Sequence, residues 1–153
     1  MSQSVLIQLA DAVKDALTAA AITPEIAGEG AIAATRSYVP EFSLPELGTA
    51  KLTVVPSALT AELASRGAHE FDYSVDIGIH RRVADDNETD AMVRFVEEVL
   101  DTVRSTAIDI AGLRVGVPTL VANEPIFSPE HLREQRTFVS VVRATYPAIR
   151  AVT

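Results

Sequence analysis

The segment that decides the fold is FDYSVDIGIH, residues 71–80. Apolar side chains occupy every second position of it. This period of two is typical of a β-strand with one buried face, because successive side chains point to opposite sides of a sheet. We therefore predict a half-buried strand whose other face is wet or meets another subunit. Its core face is expected to carry Phe71, Tyr73, Val75, Ile77 and Ile79.

One amphipathic helix is predicted before this strand in the sequence and another after it. Residues 85–90 are rich in acids, which can cap a helix N-terminus and interact favourably with its dipole. An apolar face with three- and four-residue spacing follows them: Met92, Phe95, Val96, Val99, Leu100 and Val103. The earlier helix has an apolar residue at every fourth position: Val5, Leu9, Val13 and Leu17. Both stripes need burial, so we expect the two helices to cover the sheet.

The segments before residue 71 are less regular. Residues 31–39 are expected to contain an edge strand, and the proline-rich residues 41–48 a loop. A strand is predicted over residues 51–55, closed by Pro56. For residues 57–70 two interpretations stay open, a helix within the segment or a mobile loop.

The C-terminal part adds two strands and a short helix. Residues 113–121 are rich in valine and predict a strand, and residues 137–146 predict the last one. Between them, Ser128 can cap a short helix whose first residue is Pro129. The element order predicts an α+β domain, a small, mostly antiparallel sheet with helices packed on one face. We expect residues 1–153 to form this single domain.

Composition and charge exclude several classes of function. The chain lacks cysteine, which excludes disulfides and Cys-ligated zinc, and its first residues resemble neither a signal peptide nor a membrane span. We expect a soluble protein. The net charge is −8, and neither half of the chain is basic, which disfavours binding to a phosphate backbone. An acidic surface can instead repel DNA from a channel wall and let it slide.

No catalytic, cofactor or metal site emerges from the sequence. The histidines His69, His80 and His131 lack the spacing of metal ligands. Asp76 and His80 share a strand face, but their Cα atoms should lie about 13 Å apart, too far for one ion. Residues 85–90 lack the glycine and closing glutamate of a calcium loop. We expect no enzyme and no cofactor. Arg81 and Arg82 are interpreted as a solvated strand end.

A family resemblance spans roughly residues 31–146. It rests on YVPEFSLPEL (38–47), LTVVP (52–56), DYSVDIGIHRR (72–82), EEVLD (97–101) and FVSVV (138–142). Together these segments resemble small tail-terminator, or tail-completion, proteins of bacteriophages. The resemblance implies a ring of subunits, commonly six, that caps the tail tube, docks to the head connector and lets DNA pass through its centre. It also implies a place at the head-proximal end of the virion tail, after assembly in the host cytoplasm.

Long loops are where contacts with other proteins usually occur, so we predict assembly contacts in residues 40–48 and 57–70. The candidates are Phe42, Leu44, Leu47, Leu59, Leu63 and Arg66. Deletion of residues 59–67 is expected to abolish assembly and leave a folded monomer. The acids expected to face the channel are Asp85, Asp86, Glu88 and Asp90.

Three alternatives remain open from the sequence. One is a head-completion or neck protein of the same particle, and another is a small-ligand binding domain or an unrecognised enzyme. The third is a dimeric module that buries the polar face of strand 71–80.

Overall fold

The computed structural model describes residues 4–65, 68–110, 113–123 and 125–151. Within these residues, three α-helices and two sheets form the α+β fold. The helices are α1 (Val5–Ala20), α2 (Asp86–Ser105) and α3 (Pro129–Gln135). The strands are β1 (Ala34–Arg36), β2 (Lys51–Ser65), β3 (Ala68–Arg82), β4 (Ile108–Ile110), β5 (Leu113–Gly116), β6 (Leu120–Ala122) and β7 (Thr137–Ala151).

The larger sheet has five strands in the order β1-β2-β3-β7-β6, and β4 and β5 form a small hairpin. Among the strand pairs of the described residues, only β1–β2 is parallel. The predicted alternation of β3 is confirmed, because Tyr73, Val75, Ile77 and Ile79 are buried. Phe71 is only partly buried against the same core. The mostly antiparallel sheet and the mixed fold agree with the sequence prediction.

Helices α1 and α2 cover the apolar face of this sheet. Four residues of α1 are buried, Leu9, Ala10, Val13 and Leu17. Six residues of α2 are buried, Ala91, Met92, Phe95, Val96, Val99 and Val103. The two buried stripes and the inner face of the sheet join in one core cluster. Both predicted helices are therefore confirmed, although Leu100 is only half-buried.

The prediction for residues 51–70 is wrong in its second half. The strand does not end at Pro56: β2 runs from Lys51 to Ser65 and pairs with β3 along its length. Pro56 stays in register with Val75, and the register shift that follows leaves Ser57 as the extra residue of a bulge. Helix propensity within 58–64 is overridden because these residues find backbone partners on β3.

The remaining predictions, for β1 and for the C-terminal part, are partly confirmed. The edge strand β1 lies within the predicted range, and β7 begins at Thr137 but continues to Ala151. Residues 113–121 form two short strands, β5 and β6, instead of one. Helix α3 begins at Pro129 as predicted, but the Ser128 hydroxyl bonds to His131 Nδ1 at 2.8 Å and caps no backbone N–H.

Candidate assembly surface

Strands β2, β3 and β7 extend together as a three-stranded arm, which we define as residues 56–65, 68–75 and 144–151. The base of the arm belongs to the core, because Tyr73 and Tyr146 are each only 1% exposed. Towards the tip, Thr60, Ala61 and Glu70 are exposed. Sequence reasoning missed this arm because its first strand carries no regular alternation.

The predicted contact residues of segment 40–48 divide into exposed and covered ones. Leu44 is 49% exposed and remains available to a partner. Leu47 is only 5% exposed, so its side chain packs within this chain, and its contact with a partner remains a prediction. Phe42 is half-buried and packs its ring against His80, with 5.3 Å between the ring centroids.

The other predicted contact residues belong to the arm. Leu59 is 51% exposed, although it stands on the same strand face as the buried Tyr73, its register partner. Leu63 pairs with His69 near the tip. Arg66 lies outside the described residues. Two further exposed apolar residues, Tyr38 and Val39, follow β1 and were not among the predicted contacts.

The polar face of β3 packs closely around Gly78. A Cβ atom at this position would lie 2.6 Å from Thr53 Oγ1 and 3.2 Å from His80 Cε1. Among the described residues, the buried Nδ1 of His80 has no hydrogen-bond partner. Burial lowers the pKa of His80, and the nearby His131 lowers it further. The imidazole is therefore held in its neutral form near neutral pH.

Asp76 binds Arg143 on the same face and not His80. The two residues are cross-strand partners, and the guanidinium donates from Nε and Nη2 to the two carboxylate oxygens at 2.7 and 3.0 Å. This bidentate pair raises the pKa of Arg143. The Asp76 carboxylate is therefore engaged by Arg143.

Arg81 is not the solvated residue that the sequence suggested. Its side chain is 8% exposed, and its Nε lies 2.8 Å from Oε1 of Glu29, whose side chain is 3% exposed. Its Nη1 donates to Glu88 Oε1 at 3.0 Å and to the Arg82 carbonyl at 2.6 Å. Glu29 Oε1 also accepts the Ala50 N–H at 3.0 Å. Arg81 therefore joins three parts of the chain in one buried ionic cluster, while Arg82 is exposed.

The four acids predicted to face a channel have different roles within the monomer. Asp85 is the N-cap of α2 and accepts the Glu88 N–H at 2.9 Å. The Glu88 carboxylate binds Arg81 and the Ala84 N–H. Asp86 and Asp90 are exposed. Asp85 and Glu88 therefore stabilise the fold. A channel-facing position for the four acids remains a prediction.

Among the residues that the structure describes, no group of three or more His, Asp or Glu side chains could hold a metal ion. A surface cavity of about 430 Å³ is lined by Arg81, Arg82, Glu88 and Arg136, among others. Arg81 and Glu88 already bind each other there. This arrangement offers no nucleophile with an adjacent base.

Solved structures provide a whole-chain comparison. A chain from the virion of a native gene transfer agent particle superposes with a TM-score of 0.55 and 15% sequence identity. The match covers 99% of this chain and 100% of that chain. This chain shares the fold of a virion component. A second solved protein, whose name states no function, gives a TM-score of 0.58 and 14% identity over 99% of both chains.

No protein-family model matches the sequence, and no curated protein does so either. At 14–15% identity the structural likeness shows a common fold and nothing finer. Separately, none of the helices in the described part of the chain is long and apolar enough to cross a membrane.

Proposed function

We propose that this chain is a structural subunit of a phage-like particle, a tail-terminator protein that forms a ring at the head-proximal end of the tail tube. The observation that carries the proposal is the end-to-end structural match with a chain from a gene transfer agent virion. A match over the whole of both chains concerns the entire domain and not a shared supersecondary motif.

Features of the described residues support a mechanical role. Exposed apolar side chains occur towards both edges of the large sheet. Tyr38 and Val39 follow β1, and Leu59 belongs to β2. On the other side, Val117 precedes β6, Leu120 belongs to β6 and Val141 belongs to β7. A ring needs two different surfaces on each subunit, because each copy contacts one neighbour on each side. The proposed ring is six-fold, joins the tube to the head connector or neck protein and passes DNA through its centre.

The proposal is tested by adding the purified protein to growing tail tubes of the phage-like particle from the same host. A terminator should bind one end of each tube and stop its growth, so tubes should become shorter as the protein concentration rises. The tube ends should carry extra density in electron micrographs. A neck protein would instead bind the head connector and leave naked tubes unchanged, and that result would reject the terminator assignment.

A further inference from the structure

The outer edge of β2 is open along the arm. Strand β1 pairs with Leu52, Thr53 and Val54, and no described strand pairs with this edge beyond Val54. Ser37 donates to the Val54 carbonyl, so the backbone of Val54 points away from β3. Before the register shift between Pro56 and Ala58, the even-numbered residues of β2 point their backbone groups outward; after it, the odd-numbered residues do so. From there on, the backbone groups that point outward are those of Leu59 and Ala61.

The outer edge of β7 is open along the same arm. Strand β6 pairs with Arg143, Ala144 and Thr145, and the Thr145 carbonyl accepts the Thr119 N–H. Beyond Thr145, no described strand pairs with this edge of β7, although β5 lies in contact with β7. The backbone groups that point outward there are those of Pro147, Ile149 and Ala151, two residues apart. Pro147 has no N–H but still presents a carbonyl.

These two edges lie on opposite sides of one arm. Strands β2 and β7 are both antiparallel to β3, so they run parallel to each other. An unpaired edge is a template for another strand, and proteins that must remain monomeric usually cover or disrupt such edges. Pro56 and Pro147 limit pairing near the base of the arm, but Leu59 and Ala61 have outward-facing N–H groups with which no described strand pairs.

We propose that the subunits pair edge to edge, with the arm of β2 in one copy beside the arm of β7 in the next copy. This inference rests on the proposed ring and names its subunit contact. The contact is heterologous, since the two edges differ, and a heterologous contact repeats around a closed ring. Exposed Leu59 lies at this edge, where a neighbouring strand would cover it.

Pairing of this kind also determines the shape of the ring. Each arm contributes three strands, so six copies give about 18 strands in one closed sheet. At a spacing of about 4.8 Å between strands, the barrel would be roughly 28 Å across, and strand tilt would widen it. Barrels of about 16–18 strands leave an open aqueous channel. The proposed contact is thus compatible with a central hole.

The test uses cysteine cross-links, which are unambiguous because the native chain has no cysteine. Thr60→Cys is combined with Pro147→Cys or, nearer the tip, with Ile149→Cys, to sample two registers. Thr60 and Pro147 both pair with Asp72, from opposite sides. Their Cα atoms within one chain therefore lie about 9.6 Å apart, beyond the reach of a disulfide. Oxidation of at least one double variant should give a ladder of covalent oligomers up to the ring.

A proline variant tests the hydrogen bonds themselves. Ala61→Pro removes an N–H that points away from β3, so the pairing within the arm is retained, and Ala61→Ser is the matched control that keeps this N–H. We expect Ala61→Pro to abolish rings and cross-links while its melting temperature stays within a few degrees of the control. Rings formed equally well by both variants would overturn the inference.

The outcomes separate this contact from the proposed function. Rings in electron micrographs without cross-links from either double variant would reject edge pairing and leave the ring proposal intact. Cross-linked dimers from Thr60→Cys alone would show that two β2 edges meet around a two-fold axis, which also overturns the inference. The absence of both rings and cross-links would reject the contact and the ring together.

Discussion

At the residue scale, Gly78 shows how the polar face of the sheet is packed. The space that a Cβ would need at this position is occupied by the Thr53 hydroxyl and the edge of the His80 ring. The backbone there is an ordinary strand of the sheet, paired with Thr53 and Val141, so the requirement for glycine is one of space.

Gly78→Ala is therefore expected to destabilise the fold by about 1–3 kcal/mol, the usual range for an overpacked site. The midpoint of urea unfolding measures this change. Gly30→Ala is the matched control, because a Cβ at Gly30 would meet no atom within 4 Å. Equal midpoints for the two variants would contradict the close packing around Gly78.

Arg81 is the second residue whose environment determines stability. Its loss would leave the Glu29 carboxylate buried beside the Ala50 N–H without a cation. Arg81→Met is expected to cost about 3–5 kcal/mol, because removal of one partner leaves an uncompensated buried charge. Arg82→Met, at the exposed neighbouring residue, is the matched control. It should change the free energy of unfolding by no more than about 0.5 kcal/mol. Similar losses in both variants would refute the ionic cluster.

His80 gives the fold a dependence on pH. Its pKa is lowered in the folded state, so below pH about 6.5 the unfolded chain binds the proton more readily than the folded one. Stability should therefore fall as the pH falls from about 6.5 towards the lowered folded-state pKa. His80→Gln removes this titration. Over the same pH range, the free energy of unfolding in urea should therefore fall less for this variant than for the native chain, and His131 is present in both proteins. Identical pH profiles would exclude His80 as the cause.

At the element scale, the arm separates what the sequence predicts from what it does not. The alternation in residues 71–80 identifies β3 because a single buried face leaves a period of two. Residues 57–65 give no such signal. Their small and helix-favouring side chains form a strand only because β3 provides backbone partners, which is a tertiary effect. The free edges of the arm also depend on strand order, which local patterns do not reveal.

The predicted deletion of residues 59–67 can be refined with this structure. That deletion would remove β2 residues but leave their partners on β3, so a symmetric truncation is cleaner. Replacement of residues 61–71 by Asn-Gly joins Thr60 to Asp72, register partners whose backbone groups face each other, through a two-residue turn. We expect a folded monomer by circular dichroism and complete loss of assembly by sedimentation velocity. Normal assembly of the truncated chain would show that the arm tip is not a contact.

At the scale of the whole molecule, the function depends on surfaces that the monomer leaves uncovered. The sequence could predict the fold class, two helices and the best strand, because their patterns are local. It could also suggest that residues 57–70 contain contacts, and Leu59 is exposed there. It could not predict that Leu47 is buried or that Arg81 binds the buried Glu29 carboxylate, because both depend on distant segments that meet only in the folded chain.

The most direct test of the account is negative-stain electron microscopy of the concentrated, purified chain, with particles classified by symmetry. The account predicts closed rings with a central hole and six-fold symmetry. A compact two-fold dimer without a hole would contradict it and would favour a dimeric binding module.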